Sequence, residues 1–166
     1  MYKVTKAGLK GKLEQSLVEY DYFEFLKQRG VLLSHIPYCH GWIETNIGKG
    51  LVYDRVFSYK NRKESLTLKR AFGEKMIDIN LTHNMLDELC RFISKERIIV
   101  SDLSMSNIIV TLDGKPKLYL VDGIGGRDFD YKYKIKKRMP FYTRYKLKQQ
   151  HRKIIKWIEF ELNQLK

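Results

Sequence analysis

Between Leu13 and Arg29, Leu17, Tyr20, Phe23 or Glu24, and Lys27 recur three or four apart among Glu14, Glu19 and Glu24, and Gly30 follows as a stop. That spacing predicts an amphipathic helix, because residues three and four apart share a face at 3.6 residues per turn. Before it, Tyr2 to Thr5 reads as a short strand. Tyr38 to Thr45 and Leu51 to Phe57 are rich in aromatic and β-branched residues, with Asn46, Gly48 and Gly50 between them. This predicts a hairpin with Ile47 to Gly50 at its tip.

After a polar stretch at Asn61 to Glu64, the segments Leu66 to Phe72 and Leu81 to Ser94 read as helices, the second carrying Leu81, Met85, Leu89, Phe92 and Ile93 as an apolar stripe. The pattern then changes. Short apolar runs at Arg97 to Val100, Ile108 to Thr111 and Leu118 to Val121 bracket the polar loop Ser101 to Asn107 and an Asp113-Gly114 turn, and the last run ends in Asp122-Gly123. These are strand signals with polar loops between them. No repeat or low-complexity linker interrupts the series. A chain of 166 residues therefore holds one domain, or two small lobes sharing a cleft, of α+β class.

With 43% hydrophobic and 13% aromatic residues the chain can bury a core, which excludes a disordered polymer despite a formal charge of +13. The charge is local: Tyr131 to Ile158 holds 11 Lys and Arg and no Asp or Glu, interleaved with aromatics. That segment fits a solvated helix face, a surface for anionic membrane or a phosphorylated substrate, or a nucleic-acid patch. Two cysteines, Cys39 and Cys90, cannot form a disulfide framework, and the start lacks a secretory pattern. The expected setting is the cytoplasm, with peripheral membrane contact at most, since no run approaches the roughly 18 apolar residues of a membrane span. His35, Cys39 and His40 have no matching second cluster for zinc and read as residues at the hairpin entry.

The chemistry lies in order and spacing. Asp102 and Asn107 stand five apart in one loop, and the following hairpin delivers Asp122. Phosphoryl transfer needs a carboxylate near the attacking hydroxyl and hard oxygen ligands for Mg²⁺. Asp102 would serve as base, with Asn107 and Asp122 as metal ligands. Alternatively, all three are turn and strand-cap residues, a role Asp and Asn fill throughout proteins.

Further stretches add specificity: Ile36 to Gly41, Glu44-Thr45 with Gly48 and Gly50, Leu51 to Asp54, Ser65 to Leu68, Arg97 to Val100, Leu103, Asn107-Ile108, and Asp122 with Ile124-Gly125. Together they resemble the protein-kinase-like superfamily and, within it, the YrbL family named for the PhoP regulatory network. The resemblance spans most of residues 1 to 160. It implies ATP and Mg²⁺ as cofactors, Lys3 as the strand lysine on the nucleotide phosphates, Glu19 as its helix partner with Glu14 as second choice, and a hinge at Tyr53, Asp54, Arg55 and Val56 against the adenine. The plainer readings of Lys3 as a terminal lysine and of Glu19 as a solvated helix charge stand beside these.

The sequence departs from the superfamily pattern in two places. Only Met1 and Tyr2 precede Lys3, leaving no Gly-rich loop over the phosphates, and Ser104 and Ser101 stand where the pattern carries basic residues. The expected architecture is thus a minimal kinase-like fold, with a reduced N-terminal lobe over residues 1–57 and a small, mostly helical C-terminal lobe over 58–166. The expected function is ATP-dependent phosphotransfer to a hydroxyl of a protein, sugar or lipid headgroup. The rivals are a noncatalytic kinase-like regulatory protein and, third, a basic nucleic-acid-binding module.

Overall fold

The computed structural model describes residues 2–6, 10–46, 48–59, 64–126 and 140–164. The architecture is mixed α+β. Strand β1 (Tyr2–Lys6) is followed by helix α1 (Lys10–Gln28), then by β2 (Cys39–Thr45) and β3 (Gly48–Asp54), and β3 pairs antiparallel with both other strands. The expected helix and hairpin are present, but the hairpin is tighter than the sequence suggested. Gly48 and Gly50 lie within β3, opposite Thr45 and Ile43, so the ladder runs on to the Thr45–Gly48 pair and leaves two positions between the strands. Two-residue connections match the twist of antiparallel strands better than longer ones, and Thr45 Oγ1 closes this one by donating to the Gly48 carbonyl at 2.5 Å.

A second antiparallel sheet combines β4 (Leu66–Thr67), β5 (Ile108–Thr111) and β6 (Lys117–Leu120) in that order. The stretch Leu66 to Phe72, expected as one helix, divides: Leu66 pairs with Val110, and Thr67 ends the strand and caps α2 (Leu68–Gly73) by accepting from the Arg70 amide at 3.2 Å. Asp78 caps α3 (Ile79–Lys95) in the same way, through the Leu81 amide at 2.8 Å. The buried face of α3 is Met85, Leu86, Leu89 and Ile93, with Leu81 and Phe92 at its half-buried margins. Arg97 to Val100 is not a ladder strand. Its pairing is one isolated bridge between Val100 and Ile124.

Helix α4 (Pro140–Gln164) covers the later part of the expected basic segment; residues 131–139 lie outside the described residues. Leu147, Ile154 and Ile158, seven and four apart, are buried, and Trp157 sets its ring edge-on to Phe72 with centroids 6.1 Å apart. Val18, Tyr22, Phe23 and Leu26 of α1 join the same hydrophobic cluster as α3, β5 and α4. Burial of this apolar surface is the main force holding the two sheets together. No helix among the described residues is long and apolar enough to cross a membrane.

Candidate functional site

Tyr22 anchors the loops. Its side chain is fully buried, and its hydroxyl accepts a hydrogen bond from the Ile99 amide at 2.6 Å, a pairing across 77 positions of chain. Burial pushes the Tyr22 pKa up to about 12, so the phenol stays neutral. Gly125 packs on the same ring and donates its amide to the Ile99 carbonyl at 2.8 Å. The extended segment before Asp102 is thus fixed from α1 on one side and from the chain after Asp122 on the other.

From that frame the two loops are laced together. Ser101 donates both its amide (2.7 Å) and its hydroxyl (3.0 Å) to the Gly123 carbonyl, and the Val121 amide reaches the Asn107 carbonyl at 2.9 Å. Asn107 Nδ2 donates to Asp102 Oδ2 at 3.1 Å, so the two residues five apart face each other across their loop. Asp122 is exposed, and its Oδ1 accepts from the Gly123 amide at 2.6 Å. The structure therefore brings Asp102, Asn107 and Asp122 into one neighbourhood, with Gly123 in contact with the Asp102 backbone.

A cavity of about 400 Å³ opens on the Asp122 side, lined by Glu19, Pro37, Tyr53, Asp54, Arg55, Val56, Ser65, Ile109, Val121 and Asp122. Five of the positions expected at a nucleotide site thus share one wall with a sixth, Asp122. Their surroundings are specific. Burial, and then the Glu19 carboxylate, push the Tyr53 hydroxyl pKa far up; burial first, with Glu19 adding to it, raises that of the Cys39 thiol. Asp54 Oδ1 meets His40 Nε2 at 2.8 Å, and Ser65 Oγ donates to the Val56 carbonyl at 2.5 Å. Lys3 sits opposite Tyr53 in the β1–β3 register; the role expected of its side chain lies outside what the structure describes.

Asp102 lines a different cavity, of about 510 Å³, between its own loop (Ser101 to Ser106), Lys69 at the start of α2, and Lys146, Gln149, Gln150, Lys153, Ile154 and Trp157 of α4. Gln150 Nε2 donates to the Ser101 carbonyl at 3.1 Å and ties helix to loop. Sequence reasoning did not single out Lys69 or the individual α4 side chains. Lys146, Gln150, Lys153 and Trp157 do recur at helical spacing, the available signal, but only the packing of α4 shows which face meets the loop. Of the histidines expected at the hairpin entry, His35 is buried, its Nδ1 bonded to the Leu118 carbonyl at 2.8 Å, with desolvation lowering its pKa. Cys90 is half-buried against the core, and burial pushes its thiol up to about 12.

Residues 2–159 match the family described as PhoP regulatory network protein YrbL. The chain belongs to the YrbL family. It is 34% identical over 94 residues to the uncharacterized protein YrbL of Escherichia coli K12 and, equally, to that of Shigella flexneri. Those matches cover 55% of this chain and 44% of each relative, so the aligned part is less than half of the relatives' length.

Proposed function

We propose that this YrbL-family chain is a kinase-like phosphotransferase that moves the γ-phosphoryl group of ATP to a hydroxyl. One observation carries the reading: Glu19, Tyr53 to Val56 and Asp122 line one cavity, while Asp102, held by Asn107, lines a second, and Gly123, next to Asp122, lies against the Asp102 backbone. Such a division would separate a nucleotide site from an acceptor site, with the base in the wall of the second. Tyr53 to Val56 would border the adenine, and Glu19 with Lys3, in register with Tyr53, would orient the phosphates.

The donor set suits Mg²⁺. Among the described residues no group of three or more His, Cys, Asp or Glu is arranged for a metal, but Asn107 keeps its amide oxygen while Nδ2 bonds Asp102, and Asp122 keeps its second carboxylate oxygen. Both are hard oxygen ligands of the kind Mg²⁺ selects, and the ion would neutralise phosphate charge. Asp102 takes the proton of the acceptor hydroxyl as its oxygen attacks the γ-phosphorus. One O–P bond forms, the bond from that phosphorus to the β–γ bridging oxygen breaks, and ADP leaves with the electron pair. Mg²⁺ with ATP should raise the melting temperature of the wild type and raise that of Asp122→Ala much less; no shift with any nucleotide sinks the reading.

A second reading, a noncatalytic nucleotide- or partner-binding regulator, draws support from Ser101 and Ser104 beside Asp102, where the kinase pattern carries cations, and from the regulatory network in the family's description. Nucleotide binding with no transfer to any hydroxyl acceptor would favour it.

A further inference from the structure

Three cations face the cavity that holds Asp102. Lys69 enters from α2, and Lys146 and Lys153, seven apart and so two turns along one face, enter from α4. No carboxylate among the described residues pairs with any of the three. The contrast is local: Arg70, the next residue after Lys69, is held by both Glu64 and Glu74. With Asp102 as the one carboxylate among the described residues of the wall, these carry an excess of two positive charges on a concave surface, where low-dielectric walls focus the potential.

We infer that this cavity takes a small hydroxylated anion, a polyol bearing phosphate or carboxylate, free or as the headgroup of a lipid. Its volume of about 510 Å³ matches a small-molecule site and excludes a duplex or a folded protein domain as the thing enclosed. Ser104, Ser106 and Gln149 offer hydrogen bonds to hydroxyl groups, and Ile154 and Trp157 give an apolar wall for carbon-bound hydrogens. The lysines would hold the charged end, leaving a hydroxyl at Asp102. The identification of this anion as the phosphoryl acceptor rests on the phosphotransfer reading; its binding does not.

Titration calorimetry on the full chain tests this with glycerol 3-phosphate, glucose 6-phosphate and gluconate against glycerol, glucose and inorganic phosphate. The expected result is binding of the charged polyols, at least tenfold weaker binding of their neutral counterparts and of phosphate alone, and about a tenfold loss for each of Lys69→Gln, Lys146→Gln and Lys153→Gln, the size of one charged hydrogen bond. Arginine at the same positions should retain most of the affinity. Cosedimentation with phosphatidylglycerol rather than phosphatidylcholine vesicles, without binding of the soluble compounds, would assign the lipid source. Binding of neutral polyols or of inorganic phosphate as tight as that of the charged polyols, binding of neither soluble nor vesicle probes, or unchanged affinity in the triple Gln variant would overturn the inference. The Mg²⁺–ATP melting shift on the same samples keeps the two readings apart: anion binding without it sinks only phosphotransfer, and the shift without anion binding sinks only this inference.

Discussion

Gly123 lies directly against the backbone of Asp102: a Cβ added to Gly123 would stand 2.5 Å from the Asp102 carbonyl oxygen and 3.1 Å from its amide nitrogen. At φ +75° the position is also in the left-handed region that only glycine enters freely. Because the obstruction is backbone, it cannot rotate away. Gly123→Ala should destabilise by about 3 kcal/mol or more, combining strain and overlap, and abolish any Mg²⁺–ATP stabilisation. Gly114→Ala, at φ +74° in open space, is the control and should cost about 1 kcal/mol. Equal losses in urea denaturation would mean that the two loops do not depend on this contact.

The Tyr22–Ile99 bond gives a second prediction. Tyr22→Phe keeps the ring under Gly125 but strands the buried Ile99 amide, which should destabilise by about 1–3 kcal/mol. At roughly 2–4 °C per kcal/mol for a chain of this size, the melting temperature should fall by several degrees. Hydrogen exchange at Ile99 should accelerate more than at Leu89, which lies in the buried face of α3 away from this bond. A melting temperature equal to the wild type would remove Tyr22 as the anchor.

Local pattern made much of this legible. Helix α1, the α3 stripe, the hairpin, and the order Asp102, Asn107, Asp122 all follow from short-range periodicity and turn chemistry, and the structure holds those three residues in one neighbourhood, but the buried face of α1 is Val18, Tyr22, Phe23 and Leu26, with Leu17 and Lys27 of the expected stripe exposed. Long-range pairings were not legible. Arg97 to Val100 has the composition of a strand, yet its neighbours satisfy it through a single bridge, the Tyr22 hydroxyl and Gly125. Thr67 reads as helical until β5 arrives to pair with it. The lysines on the Asp102 cavity needed the docking of α4, since composition showed a basic segment but not which face of it meets the loop.

If Asp102 is the base, its charge matters to transfer and much less to nucleotide binding, because it lines the other cavity. Asp102→Asn should keep the Mg²⁺–ATP melting shift while lowering phosphoryl transfer by about 10²–10⁴-fold, the usual worth of a positioned base. Asn107→Ala, which removes both a proposed ligand and the amide that orients Asp102, should lower both. Full transfer activity in the Asp102→Asn protein would exclude the assigned role.

His35 links α3 and β6 from the interior: Nδ1 bonds the Leu118 carbonyl, the ring packs against Phe92 at 5.1 Å and faces Tyr119, and Nε2 is 4.0 Å from Glu88. A carbonyl can only accept, so the neutral ring carries its proton on Nδ1. Desolvation lowers the folded pKa, with the Leu118 bond and Glu88 opposing it and Lys117 and Lys115 reinforcing it. Unfolded His35 titrates near the ordinary value of about 6.5. Between the lowered folded value and about 6.5 the unfolded chain binds more protons, so stability rises with pH across that window; above it this group contributes no slope. Urea midpoints should therefore fall as pH drops from about 7 to about 5.5. His35→Gln, whose amide can still donate to Leu118, should lose stability at every pH through poorer packing but show a flatter decline over the same range. Parallel declines in the two proteins would assign the acid sensitivity to other groups.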